Sequence, residues 1–127
     1  MATGNHLLDK GYDAAAVLTK YRAVKFSASE TVTPVTASTD VPVGIAQFDV
    51  SAAELAKGKG VLVRGYGASE MEANEAIAIG QLVACHTNGT AKVAVATNRV
   101  IGVCEEAATA QGQRIRVKLQ LPGNILA

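Results

Sequence analysis

The side chains that could do chemistry are few. The chain has two histidines and two cysteines. Cys85 and His86 are adjacent. On a strand, neighbouring side chains point to opposite faces, so this pair is not a nucleophile and its base, and does not readily share a metal. No strained turn or flanking motif marks either cysteine as a nucleophile. Cys85 and Cys104 form no CxxC pattern, and the spacing of four zinc ligands is missing. Both are expected as buried free thiols, because Cys behaves as a small core hydrophobe. A disulfide is the alternative, since sequence does not give their separation. Glu105-Glu106 are neighbours that do not face one another, which suits a solvated loop better than an acid–base pair. Glu70, Glu72 and Glu75 read as a polar strand or loop face. Gly58-Lys59-Gly60 and Gly65-Tyr66-Gly67 lack the full signature that leads from a strand into a helix, so they are expected as turn or bulge glycines rather than phosphate loops. The expectation is a protein with no catalytic residues, no cofactor and no bound metal.

Composition narrows the class further. A chain of 127 residues allows one domain of ordinary size. Such a domain buries about two-thirds of the surface of its unfolded chain, enough to fold without metals or disulfides. Twelve Lys+Arg against eleven Asp+Glu give a net charge of +1. That balance gives no reason to expect nucleic acid or an acidic membrane as a partner. Hydrophobic residues make up 49%, yet aromatics are only 4% and Trp is absent. The chain is too apolar for a disordered tail and has no uninterrupted apolar run of ~20 residues for a membrane span. Small β-branched residues with frequent Gly point to short strands and tight turns. The N-terminus, Met1-Ala2-Thr3-Gly4-Asn5-His6, has neither a basic region nor an apolar stretch, and is not expected to be a signal peptide.

These features must be placed on elements. Residues 1–19 differ from the rest: Leu7, Leu8, Tyr12, Val17 and Leu18 are scattered among Gly and charged residues with no period of 2. The segment is expected as an extended N-terminal arm, packing on its own barrel or on a neighbouring subunit. Asp13 before Ala14-Ala15-Ala16 could cap a short helix. From Lys20 onward strand signals dominate: Val24 and Phe26, Val61 and Val63, Val93 and Val95. In Arg114-Ile115-Arg116-Val117-Lys118-Leu119-Gln120-Leu121 every second residue is apolar, which places four aliphatics on a core and four hydrophilic groups outside. Pro122-Gly123 ends that strand. Asn88-Gly89 predicts a type I′ hairpin turn. It outweighs the N-glycosylation reading of Asn88-Gly89-Thr90. Ser51-Ala52-Ala53-Glu54 has capping-box spacing and predicts one short helix stopped by Gly58.

An internal repeat organises these strands. Val43-Gly44-Ile45-Ala46 matches Ile101-Gly102-Val103-Cys104. At the same spacing Val35 matches Val93 and Asp40 matches Asn98. Downstream, Gly58-Lys59-Gly60-Val61-Leu62-Val63 matches Gly112-Gln113-Arg114-Ile115-Arg116-Val117. Two copies are too few for a solenoid, but they can form the halves of one closed or sandwich-like structure. The fold expected is all-β: a compact barrel-like or sandwich-like domain over 20–127, built from two related halves with one short helix, preceded by the arm over 1–19.

The same ordered series resembles the small capsid cement, or head decoration, proteins of tailed bacteriophages. The resemblance runs from Tyr21-Arg22-Ala23-Val24-Lys25 through Pro42-Val43-Gly44-Ile45-Ala46 and Val61-Leu62-Val63-Arg64-Gly65-Tyr66-Gly67. It continues through Ala76-Ile77-Ala78-Ile79-Gly80-Gln81-Leu82-Val83 and Val100-Ile101-Gly102-Val103 to Gly112-Gln113-Arg114-Ile115-Arg116-Val117. Gln81 stands where the family often has Asp, the excursion 49–58 is long, and the arm is outside the resemblance. The resemblance implies a non-enzymatic virion protein, made in the host cytoplasm, that binds the outer surface of an assembled capsid and bridges major capsid protein subunits. It also implies a homo-oligomer, with a trimer favoured over a dimer. Candidate contacts are Leu7, Leu8, Tyr12, Val17 and Leu18 in the arm. The row Arg114, Arg116 and Lys118 could meet an acidic capsid surface, but the reading preferred is the solvated face of an edge strand, where cations block aggregation. The rival class is a β-sandwich recognition module for glycans or adhesion, which needs exposed aromatics. With three Tyr and two Phe in all, and Phe26 and Phe48 expected inside, such a site is hard to build.

Overall fold

The computed structural model describes residues 9–121 and 123–126. The chain folds as two five-stranded units in tandem. The first contains β1 (Asp9–Ala14), β2 (Ala23–Ala28), β3 (Thr31–Pro34), β4 (Gly44–Ala46), helix α1 (Ala52–Ala56) and β5 (Gly60–Arg64). Its strands close into a barrel in the order β1-β3-β2-β4-β5. The second contains β6 (Ala68–Glu72), β7 (Leu82–Cys85), β8 (Ala91–Val93), β9 (Gly102–Glu106) and β10 (Arg114–Leu119), in the order β6-β10-β9-β7-β8. Read around the ring, the two orders are the same. A parallel β1·β3 pairing, including Ala14 with Val32, closes the first unit. An isolated parallel bridge between Ala73 and Ala91 occupies the equivalent place in the second.

The repeat therefore exists in space, with each copy forming a unit of its own rather than half of a shared barrel. Matched residues do matched jobs. A Cβ on Gly44 would collide with the Arg64 carbonyl oxygen and lie 2.8 Å from Val63 Cγ1. One on Gly102 would collide with the Lys118 carbonyl oxygen and lie 2.7 Å from Val117 Cγ1. Gly58 and Gly112 both take positive φ, 79° and 89°. The pairing of Val35 with Val93 is one residue out of register. Pro34 lies opposite Val24 in the first unit, and Val93 lies opposite Val83 in the second. The loop leading on to Asn98 is one residue shorter than the one leading to Asp40.

Residues 9–19 belong to the first barrel instead of forming an arm. Strand β1 pairs with β5 from Asp9 opposite Arg64 to Asp13 opposite Gly60. Leu18 is buried and bridges to Val50. Asp13 sits inside this strand and caps no helix, because the barrel's hydrogen bonds claim the backbone that an Ala-rich helix would need. The capping box at Ser51 forms as expected: the Glu54 N–H donates to Ser51 Oγ at 3.2 Å, and the Ser51 N–H donates to Glu54 Oε1 at 3.0 Å. The β7–β8 hairpin turns at Asn88-Gly89, but only Gly89 has positive φ. The His86 carbonyl accepts from the Gly89 N–H at 2.9 Å and the His86 N–H donates to Thr90 O at 2.7 Å. This is the longer hairpin loop with glycine at its left-handed position, not type I′.

Two cores result. Val24, Val32, Ala46, Val50, Val61 and Val63 fill the first barrel. Met71, Ile77, Val83, Ile101, Ile115 and Val117 fill the second, and Ala23, Val35 and Ile45 from outside the first barrel join them.

Candidate interaction surface

On β10 the alternation read from sequence is exact in burial: Ile115, Val117 and Leu119 are buried while Arg114, Arg116 and Lys118 are exposed. The row is not on an edge strand, because β10 lies between β6 and β9. Two neighbouring strands bring carboxylates beside it. Arg114 Nη1 is 3.9 Å from Glu70 Oε1, and Arg116 Nη2 is 3.6 Å from Glu106 Oε2. The Arg114 guanidinium also lies 4.4 Å from the centre of the Tyr21 ring. Such exposed pairs add little stability, but they turn a row of one sign into a face of mixed sign.

The other four aromatic residues, Tyr12, Phe26, Phe48 and Tyr66, lie elsewhere, at the first barrel. Phe26 is 55% exposed and Phe48 53%, against the expectation that both are buried. Phe26 follows Val24 at strand spacing, but a register shift between Phe26 and Ala28 and the end of the barrel leave its ring outside. It meets the Tyr12 ring edge-on, with centroids 5.5 Å apart. Lys10 Nζ sits 5.0 Å over the Tyr12 ring and 3.2 Å from Glu30 Oε2. Tyr12, Phe26, Val43, Val63 and Tyr66 line an open groove of about 580 Å³. A second groove of about 710 Å³ shares Tyr12 and runs between Phe48 and Leu62 over Gly11 and Gly60. Gly11 leaves open space there, while a Cβ on Gly60 would lie 2.8 Å from the Tyr12 carbonyl oxygen. Both glycines were visible in the sequence but carry meaning only with the β1·β5 register known. Of the arm residues singled out, Tyr12 lies in both grooves, Val17 is exposed and Leu18 is in the core. Leu7 and Leu8 lie outside the described residues.

The residues considered for chemistry are dispersed. Cys85 and Cys104 are buried free thiols. Burial, reinforced by the Asp40 charge, pushes Cys85 up to about 12; burial also raises Cys104. A thiol kept protonated is a poor nucleophile. The near neighbour of the His86 ring is Thr87, with Oγ1 3.3 Å from Nδ1. Among the described residues no group of three or more His, Cys, Asp and Glu is arranged to hold a metal ion.

The fold thus defines a class: tandem five-stranded β units of one strand order, packed on a shared core, with an aromatic groove open at one unit. No protein-family model and no curated protein matches the chain. Among solved structures, the chain is similar to the N base of the head fiber gp8.5 of bacteriophage phi29. The TM-score is 0.70 at 19% identity, covering 94% of this chain and 98% of that one. At that identity the likeness is one of fold.

Proposed function

We propose that the chain is a non-enzymatic structural protein of a phage virion. It binds the outer surface of the assembled capsid and stabilises it by bridging major capsid protein subunits, acting as a homo-oligomer with a trimer favoured. The observation that carries this reading is the near end-to-end likeness to the base of a phage head fiber, reached independently of the Gly–Val motif order that resembles capsid cement proteins. The physical logic is multivalency: once one contact with the lattice forms, the next is effectively intramolecular. Rigid tandem units suit that role because little entropy is lost on docking.

The test is incubation of the protein with expanded, undecorated capsids of its own virion, followed by sedimentation and reconstruction. Density outside the shell that spans adjacent capsid subunits is the expected result. Exposed Phe26 and Tyr66, with half-buried Tyr12 beside them in the groove, favour one rival, a recognition module for glycans. Glycan-array binding with no capsid binding would replace the proposal with that rival.

A further inference from the structure

The joint between the two units has two sides, and each unit carries the side that the other uses. On the first unit, Ala23, Val35 and Ile45 face outward and belong to the second unit's core, with Met71, Cys85 and Val117. Polar contacts fasten the joint. The Glu72 N–H donates to Tyr21 O at 2.9 Å, and the Ala23 N–H donates to Gly89 O at 2.8 Å. Arg22 grips the Glu72 carboxylate through Nε and Nη2 at 3.2 and 3.3 Å, and Gln47 Nε2 donates to Ser69 Oγ at 3.0 Å.

Strand pairing gives the counterparts. Ala23 opposite Ile45 in the first unit corresponds to Leu82 opposite Val103 in the second. Val35, whose N–H donates to Ala23 O, corresponds to Ala94, whose N–H donates to Leu82 O. None of the three second-unit residues is buried; Leu82 is 40% exposed, and next to this patch in the chain Ile79 and Val95 are exposed too. On the other side, Met71 opposite Ile115 corresponds to Tyr12 opposite Val61, and Cys85 opposite Ala91 to Phe26 opposite Val32. Val117 corresponds to Val63 in the same way. Tyr12, Phe26 and Val63 line the 580 Å³ groove. Among the described residues, one plug and one socket of the same joint are therefore left unfilled.

We infer that the occupant of the groove is a second copy of this chain, whose Leu82–Val103 face enters it and repeats between molecules the joint made within each. Charge supports this partner. The counterparts of Gln47 and Ser69 are Glu105 and Lys10, both exposed, so a neutral hydrogen bond becomes an ion pair between copies. The counterparts of Arg22 and Glu72 are Gln81 and Asp13, an amide facing a carboxylate. Such a contact is heterologous: it closes into a ring when the rotation between units permits and otherwise propagates. The inference deepens the self-association in the proposed function and is independent of capsid binding.

Sedimentation of the full chain without capsids tests it. The wild type is expected above monomer mass. Leu82→Asp and Phe26→Asp alter opposite sides at exposed positions, so each is expected to fold, with an unchanged circular dichroism spectrum, and to sediment as a monomer. Mixed in equal amounts they should form a dimer and stop, because each retains the side that the other lacks. Glu105→Lys should weaken assembly and Lys10→Glu in the same chain restore it. A wild type that stays monomeric at high concentration overturns the inference. So does an unchanged mass in both Asp variants, or a mixture that remains monomeric. Loss of assembly on Leu7→Asp with Leu8→Asp, while Leu82→Asp leaves it intact, would overturn the inference and assign the groove to the N-terminal residues of a second copy.

Discussion

Asp40 and Asn98 hold the same bend in the two units with different charge. Asp40 Oδ2 accepts from the Thr36 and Ala37 N–H groups, both at 3.0 Å, and from Lys25 Nζ at 2.9 Å. Asn98 Oδ1 accepts from the Val95 N–H at 3.1 Å, while its Nδ2 donates to Ser38 Oγ. Burial pushes the Asp40 carboxyl up, but Lys25 and the two amides outweigh it and hold it below its ordinary value. Asp40→Ala strands those donors and should cost about 1–3 kcal/mol in urea unfolding at neutral pH. Asp40→Asn keeps the bend's acceptor, as Asn98 does, and should cost under about 1 kcal/mol. Because the folded-state pKa is depressed, the charge's contribution is intact above about pH 4 and is lost as pH falls through the folded value. The gap between wild type and Asp40→Asn should therefore close below about pH 4. A gap that is constant with pH would contradict this account. The match of Asp40 to Asn98 was legible because both side chains serve the same turn. The exposure of Phe26 and Phe48 was not, since alternation assigns a face but not where the barrel ends.

At the scale of elements, the glycines of β4 and β9 carry the repeat. Their strands cross so close to β5 and β10 that no Cβ fits beneath the carbonyls of Arg64 and Lys118. Gly44→Ala and Gly102→Ala should each destabilise by about 1–3 kcal/mol or more, since a packed core yields little to an added methyl. Equal, near-zero losses measured by thermal or urea unfolding would show that the two strands can separate freely. This part of the repeat was readable because a steric demand for Gly admits no substitute. The opposite end was unreadable: β1 (Asp-Lys-Gly-Tyr-Asp-Ala) and the equivalent stretch 68–73, β6 with Ala73 after it (Ala-Ser-Glu-Met-Glu-Ala), share only the final Ala. Backbone demand persists without identity there as well. Tyr21 and Glu30 take positive φ at 64° and 55°, in the places that Gly80 and Gly89 hold in the second unit. With β1 hidden in this way, residues 1–19 read as an arm.

At the scale of the molecule, the joint is expected to make the two units one cooperative body, because first-unit residues complete the second unit's core. Ile45 is a strand residue of the first barrel yet fully buried in the second unit's core. Its counterpart Val103 is partly exposed. The same position in the repeat thus has two burial states, set only by what lies against it. Ile45→Ala should cost about 2–5 kcal/mol through lost burial and the cavity left behind. Val103→Ala, measured on dilute protein, should cost under about 1 kcal/mol because little buried surface is removed. Hydrogen exchange separates a shared core from two independent ones. If the units unfold together, Ile45→Ala speeds exchange in β7, β9 and β10 as much as in β2 and β4. Independent units would confine the loss to the first barrel. The joint would then be a docking contact between two self-sufficient units, and the case for the same contact recurring between copies would rest on shape and charge alone.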